Sequence, residues 1–529
     1  MSIFSKVAMP RPSKNTFDLS HDRKFSGRIG ELMPITVMEC VPGDKFNIKA
    51  TNLTRFAPLV TPIMHQASVY CHFFFVPNRI LWPNWEKFIS GGEDGLADPT
   101  FPVISDGTDP GYEEGSLADY LGLPTGVNFS SGSYVSAMPF AAYQKIYNDY
   151  YRDENLISSL EDDIILQDGT QSTAKQDALM PLRKRAWQHD YFTSALPWTQ
   201  RGPEATIPIG TEAPLLYGDY SNPPVGPSTD YQILRKPESE GGGVVGSTPF
   251  GTSQGNGRLI NDAGTQNINF DISQTHVADL SNATASSIND LRRAFRLQEW
   301  LERNARGGAR YIEIIMAHFG VRSSDARLQR PEFLGGSATP ITISEVLQTS
   351  ANSSQPSPQG NMAGHGVSVG SSNYVTYRCE EHGYIIGIMS VMPKTAYQQG
   401  IPKHFTKFDK FDYYWPSFAN IGEQPIYNKE LYFQNNADDD EVFGYTPRYA
   451  EYKYIPSTVH GEFRSSLDFW HMGRIFATKP SLNKDFIECD ADEVDRVFAV
   501  TEGQEHLYVY LHNEVKATRL MPYFGTPTI

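Results

Sequence analysis

Few residues of this chain combine a type and spacing able to do chemistry. Gly366-Val367-Ser368-Val369-Gly370 has the GxSxG spacing of a nucleophile elbow, in which a tight turn between a strand and a helix lifts the serine hydroxyl clear of its sheet. The match falls in a Gly- and Ser-rich stretch with no helical pattern behind it, so it is read as chance. Asp438-Asp439-Asp440-Glu441 sets four carboxylates in a row, donors that suit a hard cation, but without the spaced ligands and turn of a calcium loop it reads as a solvated acidic turn. The 13 histidines contain no HExxH, and His189-Asp190 and Glu381-His382 are isolated pairs. There is no P-loop and no GxGxxG after a strand. No catalytic residue, metal or cofactor is expected, and function must be sought in surfaces.

Two basic stretches are candidates for such a surface. Residues 1–30 hold six Lys or Arg against two Asp, a net charge of +4 on a chain whose formal net charge is −16. A basic arm ahead of an acidic body suits contact with nucleic acid or a neighbouring subunit, and equally an ordinary loose terminus. Arg183, Lys184 and Arg185 precede Trp187, His189, Tyr191 and Phe192, an order that can grip single strands by phosphate pairing and base stacking. Packing accounts for the same residues as well.

The elements that would position these residues are legible in part, most clearly over residues 289–336. Ile288, Leu291, Ala294, Phe295, Leu297, Leu301 and Ala305 fall on one helical face, which is expected to bury against a sheet. Arg292, Arg296 and Arg303 line one flank and Trp300 stands roughly opposite the stripe. They form either an exposed charged flank or a contact surface for another subunit, where Trp and Arg are enriched. Gly307-Gly308 ends the helix, and residues 311–319, apolar on both alternating faces, predict a covered strand.

Strands are further predicted at 34–41 and 44–53, with a hairpin or corner at Pro42-Gly43, and at 68–76, 383–392, 496–501 and 506–515. In SVYCHFFFV, successive side chains alternate between faces, so Phe73, Phe74 and Phe75 require cover on both sides. Residues 84–89 predict a short helix. Residues 140–154 predict a second, with Phe140, Tyr143, Ile146, Tyr147 and Tyr150 on one side, a stripe that fits core or subunit interface better than a ligand box.

Residues 221–287 draw 35 of 67 positions from Gly, Ser, Pro, Asn and Thr and cannot bury much core; they read as an insertion. Residues 352–373 read as a second Gly/Ser loop. Residues 403–415 and 443–456, dense in Phe and Tyr, read as arms lying over neighbours.

Aromatic residues at 12 %, with 43 Gly and 36 Pro, favour many strands joined by long ordered loops. Cys40, Cys71, Cys379 and Cys489 form no CxxC pair and read as buried free thiols of a reducing compartment. No run approaches the ~18 apolar residues of a membrane span, and residues 1–15 lack a signal core. The class expected is a mainly β, eight-stranded antiparallel jelly roll with long loop insertions and a few short helices. The rival is a β-sandwich carbohydrate-binding module or secreted enzyme, which the missing secretion signal and the missing catalytic constellations weigh against.

The words ARGGARYIEI and HFGVRSSDARLQRPEFLGG, FFFVPNR with Trp82 and Trp85, DYFTS with LPW, EHG, YQQG, RYAEY and FRS resemble the major capsid proteins of microviruses, in particular the gokushovirus-like branch. The resemblance runs nearly end to end and lapses in the insertions. It implies a jelly-roll subunit, 31–529 with a basic arm at 1–30, whose copies close into a T=1 icosahedral shell around circular single-stranded DNA. Implied partners are the chain itself, the genome on the inner wall, a small basic DNA-packaging protein and a host-surface receptor. Lys6, Arg11, Lys14, Arg23 and Lys24 are then candidates for inward DNA contact, and the insertion at 210–287 for a threefold protrusion used in host attachment. The implied location is the virion, assembled in the bacterial host cytoplasm.

Overall fold

The computed structural model of the protein describes residues 13–105, 111–127, 134–203, 288–308, 310–349, 360–500 and 505–524, together with four short strands between 215 and 278. The chain divides into two compact units, residues 1–201 with 302–529, and residues 202–301.

In the larger unit the strand near the C-terminus shows why the sheets form. Along Leu507–Arg519, the side chains of Leu507, Val509, Leu511, Val515 and Ala517 are buried while Tyr508, Tyr510 and Lys516 face water, the period of two expected of a strand wet on one side. The strands are numbered β1 (Asn15–Asp18), β2 (His21–Gly27), β3 (Met33–Cys40), β4 (Lys45–Phe56), β5 (Ala67–Pro77), β6 (Glu332–Pro340), β7 (Thr342–Leu347), β8 (Met362–Ser371), β9 (Val375–Arg378), β10 (Gly383–Pro393), β11 (Glu423–Tyr427), β12 (Val442–Pro447) and β13 (Leu507–Arg519). A seven-stranded antiparallel sheet runs β1–β13–β4–β8–β7, with β2 also on β13 and β9 on β4. A four-stranded antiparallel sheet runs β6–β5–β10–β3.

One apolar cluster joins the inner faces of both sheets: Phe46, Ile48, Leu507 and Leu511 from the first, Ile35, Phe73, Phe75, Ile385 and Met389 from the second. Phe74 points the other way, into a second cluster with Phe140, Tyr143 and Tyr147 of α1 (Met138–Ile146) and the wider π-helical turn Tyr147–Tyr151 that continues it. The triplet is thus covered on both sides, and the Tyr stripe is core. A third cluster, around Tyr191, Phe192, Tyr397, Ile426, Leu431, Phe443 and Phe486, carries β11 and β12. All four cysteines are buried free thiols. The chain is mainly β, its sheets antiparallel and its helices few and mostly short.

Several expectations are corrected. Residues 15–27 are not a loose arm: β1 and β2 pair with β13, almost 500 residues away, a partner that local charge cannot reveal. Of the hairpin and the corner expected at Pro42-Gly43 the corner is found, because β3 and β4 belong to different sheets; Gly43 takes φ +95° there. Residues 311–319 form a helix, α3 (Tyr311–Phe319), following α2 (Ile288–Gly307). A short apolar run does not distinguish strand from helix, and the ends decide: the Glu313 carboxylate accepts from the Arg310 backbone N–H at 3.1 Å, and Gly320 closes the helix in the left-handed region. On the α2 stripe Leu301 and Ala305 are buried, while Leu291, Phe295 and Leu297 remain exposed.

Most of residues 360–373 is the strand β8, its glycines serving close approach: a Cβ on Gly364 would meet Thr61 O at 2.2 Å, and one on Gly366 would meet the Phe56 ring at 2.6 Å. Of the strand expected at 496–501, residues 496–500 make none, Asp495–Val497 being a 3₁₀ turn followed by a single bridge from Phe498 to Leu59, and residue 501 lies outside the described residues.

In the smaller unit, Leu215–Tyr217 pairs with His276–Ala278 and Gly251–Thr252 with Leu259–Ile260. The expected insertion at 210–287 otherwise lies outside the described residues.

Candidate assembly and nucleic-acid surfaces

The groups with chemical spacing are committed to the fold. Ser368 lies in β8, buried, with its hydroxyl donated to Pro340 O at 3.1 Å. The Asp439 carboxylate accepts from the backbone N–H groups of Gln434 and Asn436, both at 3.0 Å, closing its own turn, while Asp440 pairs with Lys429, and Asp438 and Glu441 with Lys479. Among the described residues no group of three or more His, Cys, Asp or Glu is placed to hold a metal ion.

A cleft of about 300 Å³ gathers His65, His460 and His471, but each ring holds chain: His65 Nε2 reaches Lys394 O at 2.5 Å, His471 Nε2 reaches Phe463 O at 2.8 Å, and His460 Nε2 reaches the Thr458 hydroxyl at 2.8 Å. Burial pushes His65 down to about 4 and lowers His471, so both are neutral near pH 7.

The basic run at 183–185 is likewise internal. Arg183 donates to Gln144 Oε1 and Ala178 O, Lys184 pairs with Asp490 at 2.7 Å, and Arg185 lies 4.2 Å from the Tyr70 ring centroid while donating to the Ser390 hydroxyl. Packing accounts for these residues, and Trp187, Tyr191 and Phe192 are buried beside them.

The surface is different. Residues 403–418 wind through three short 3₁₀ turns: Lys403–Thr406, Lys410–Asp412 and Pro416–Phe418. Polar groups pin them. The Asp412 carboxylate accepts from the Phe408 and Asp409 N–H groups at 2.9 and 2.8 Å, Trp415 Nε1 donates to Lys410 O at 2.8 Å, and Lys407 pairs with Glu451 at 2.7 Å. The aromatic side chains are left outside: Phe408 is 89 % exposed and Phe405 66 %, with Tyr413, Tyr414 and Trp415 about half exposed. Tyr414 meets Tyr449 at 5.1 Å and Tyr452 at 6.2 Å, joining this band to Tyr452, Tyr454 and the 92 %-exposed Ile455. An ordered backbone that displays contiguous aromatics has the composition of an interface core.

Of the residues singled out by sequence, Trp300, Arg292, Arg296 and Arg303 are exposed on α2, with Arg296 paired to Glu299. Lys6 and Arg11 lie outside the described residues. Lys14 is exposed just before β1, and Lys24 is exposed on β2. Arg23 is half-buried and donates to Pro34 O and Tyr120 O, which ties it to the fold.

Pinned, outward aromatics of this kind give the surface of a subunit. The family model described as capsid protein (F protein) matches residues 5–529. The chain belongs to this capsid-protein family. Relatives of similar length include capsid protein VP1 of Bdellovibrio phage phiMH2K, 40 % identical over 94 % of this chain and 92 % of the relative. VP1 of Chlamydia phage 1 is 36 % identical over 99 % and 97 %, and VP1 of Spiroplasma virus 4 is 35 % identical over 99 % and 96 %. A more distant likeness, 31 % over 26 % of this chain, is to capsid protein F of Escherichia phage G4.

The role of this capsid protein is therefore structural and not enzymatic, and its place is the virion. No helix among the described residues is long and apolar enough to cross a membrane. One surface went unread in the sequence: the outer face of the seven-stranded sheet, where Lys24 of β2 lies over the Tyr510 ring and Arg55 of β4 stands opposite Tyr508. The alternation that exposes the tyrosines was visible, but their cross-strand neighbours were not.

Proposed function

We propose that this capsid protein is the major shell subunit of a small phage, an eight-stranded jelly roll whose copies close into a T=1 icosahedral shell around circular single-stranded DNA. The observation that carries the reading is the aromatic band at 405–421 and 452–455, since so much ordered apolar surface is expected to be covered by symmetry mates.

The strand order supports the jelly roll. Take β1 with β2 as first, β3 second, β4 third, β5 fourth, β6 fifth, β8 sixth, β10 seventh and β13 eighth. First then pairs with eighth, second with seventh, third with sixth and fourth with fifth, as in one long antiparallel ribbon folded over into two sheets. On this reading the jelly-roll domain with its insertions begins at β1, so the boundary expected at residue 31 moves back to residue 15 and the basic terminal arm is what precedes it.

Trp300, Arg292, Arg296 and Arg303 are proposed as a second subunit contact. Lys6, Arg11, Lys14 and Lys24 are proposed to face the genome; Arg23 fits less well, because its guanidinium serves two carbonyls. A formal net charge of −16 opposes DNA and calls for a small basic packaging protein. The 210–287 insertion is proposed as the threefold protrusion that meets a host-surface receptor, and assembly is proposed to occur in the host cytoplasm.

Electron microscopy of the protein expressed alone and beside its neighbouring genes tests the shell. Uniform small icosahedral particles are expected in at least the second preparation, and monomers in both would overturn it. Deleting residues 241–257 is expected to leave particles intact and reduce adsorption; unchanged adsorption would remove the attachment role.

A further inference from the structure

The two sheets differ on their outer sides. That of the four-stranded sheet is roofed by α1 through Phe74, Tyr143 and Tyr147. That of the seven-stranded sheet carries Tyr508 and Tyr510 in the open, 43 % and 38 % exposed. Residues two apart on a strand point to one side and lie ~6.6 Å apart, so these rings offer two separate stacking surfaces in line.

Register sets cations around them. Tyr510 stands opposite Lys24 of β2 on one side and Leu53 of β4 on the other, with the Lys24 ammonium 5.8 Å from its ring centroid. Tyr508 stands opposite Ser26 and Arg55. Further along the same face, Lys516 lies opposite Asn47, and Lys49 lies over the Tyr374 ring at 5.2 Å.

The carboxylates here keep their charge and number three against the four cations just named: Asp18, Asp22, which also accepts from the Tyr510 hydroxyl, and Glu514. Asp18 accepts from Ser20 N–H and hydroxyl, Asp22 meets His512 Nδ1 at 2.6 Å, and Glu514 accepts from the Tyr374 hydroxyl at 2.7 Å. Among the described residues no carboxylate lies within ion-pair distance of Lys24, Lys49 or Arg55, and Lys516 reaches Glu514 only at 4.0 Å. On a chain of formal net charge −16, this sheet face is locally cationic and aromatic.

We infer that the outer face of the seven-stranded sheet is a stacking platform for single-stranded nucleic acid, with bases on Tyr508 and Tyr510 and phosphates on Lys24 and Arg55. The inference rests on the shell reading above and adds the surface that meets the genome. Alternating π faces and cations bind single strands with little regard to sequence, as a shell holding a whole genome requires. The charge selects among occupants: a basic partner is repelled, and an anionic strand is drawn in.

The test uses the full-length chain and fluorescein-labelled oligothymidylate, which has no base pairs to melt, followed by anisotropy across a salt series. Tyr508→Ala and Tyr510→Ala are each expected to weaken binding about tenfold. Lys24→Gln and Arg55→Gln are each expected to reduce the log–log salt slope by ~0.7. Photocrosslinking with bromodeoxyuridine is expected to mark residues 507–511. All four positions are on the wet side of the sheet, so shells should form as in the unsubstituted protein.

Unchanged affinity and slope in all four variants, or crosslinks only elsewhere, overturns the platform while particles under the microscope leave the shell reading standing. A neighbouring copy seated on Tyr508 and Tyr510 in a map of the shell also overturns it. An unsubstituted chain that forms no particles even beside its neighbouring genes brings down the shell reading itself.

Discussion

Residues 138–151 and 403–421 are both crowded with aromatic side chains, and their fates are opposite. Phe140, Tyr143 and Tyr147 are almost entirely buried, whereas Phe405, Phe408 and Trp415 stand in water. In the first region the helical period places the rings on one side, and that side meets the Phe74 face of β5. In the second, short 3₁₀ turns pinned by Asp412, Lys407 and the Trp415 indole N–H point the rings outward without a common period. Aromatic density is alike in the two regions; what separates them is that only the first turns one periodic face toward a sheet of the same chain.

The largest effect expected from perturbing this contrast is at Tyr143, which is fully buried with its hydroxyl donated to Leu32 O at 2.9 Å. Tyr143→Ala is expected to cost the subunit ~3–5 kcal/mol in urea unfolding, as large-to-small changes in a packed core do. A loss below ~1 kcal/mol would mean that the first region is not a packed core.

His72 sharpens the same region by pH. Its ring stacks near Tyr151, 2.7 Å from that hydroxyl, and burial, with Arg185 adding repulsion, pushes its pKa down from 6.5 to about 4. The folded state resists the proton that the unfolded state accepts, so this contribution is complete above pH 6.5 and is lost as pH falls toward 4. The expected loss over that window is ~2 kcal/mol after allowance for partial exposure, and His72→Gln should flatten it in thermal melts.

Smaller effects are expected on the side of the second region. Asp439→Ala removes the acceptor of two backbone N–H groups in the turn after β11 and should cost ~1 kcal/mol, with added calcium changing the melting temperature of neither protein. Phe405→Ser with Phe408→Ser, which removes rings that pin nothing, should shift subunit unfolding by no more than ~0.5 kcal/mol and yet abolish particles in sedimentation. Stability unchanged with assembly lost is the signature that separates the two regions.

The sequence made much of this legible where one periodicity held. The pattern at 506–515 marked a strand, the Phe73–Phe75 triplet demanded cover on both sides, and the stripe from Phe140 to Tyr150 marked a face to be covered by core or by another subunit. It misled where long-range pairing or local crowding decided. Gly364 and Gly366 look like loop residues until Thr61 and Phe56 are seen pressed against them. Residues 15–27 look like a charged terminus until β13 is laid beside them. The apolar run of α3 was ambiguous between strand and helix, and its capping groups settled it. For the surfaces, aromatic density marked 403–415 and 443–456 alike, yet Phe443 and Tyr449 are buried in this chain's own core and only 452–455 of the second stretch stand exposed; the sheet face could not be read, because it is assembled from strands distant in the chain.

The central claim is that the outward aromatic band is covered by other copies of this chain. A near-atomic reconstruction of assembled particles tests it most directly. The account predicts that Phe408, Trp415 and Ile455 are buried against a neighbouring subunit at every symmetry-related contact. A closed shell in which all three still face solvent would contradict it.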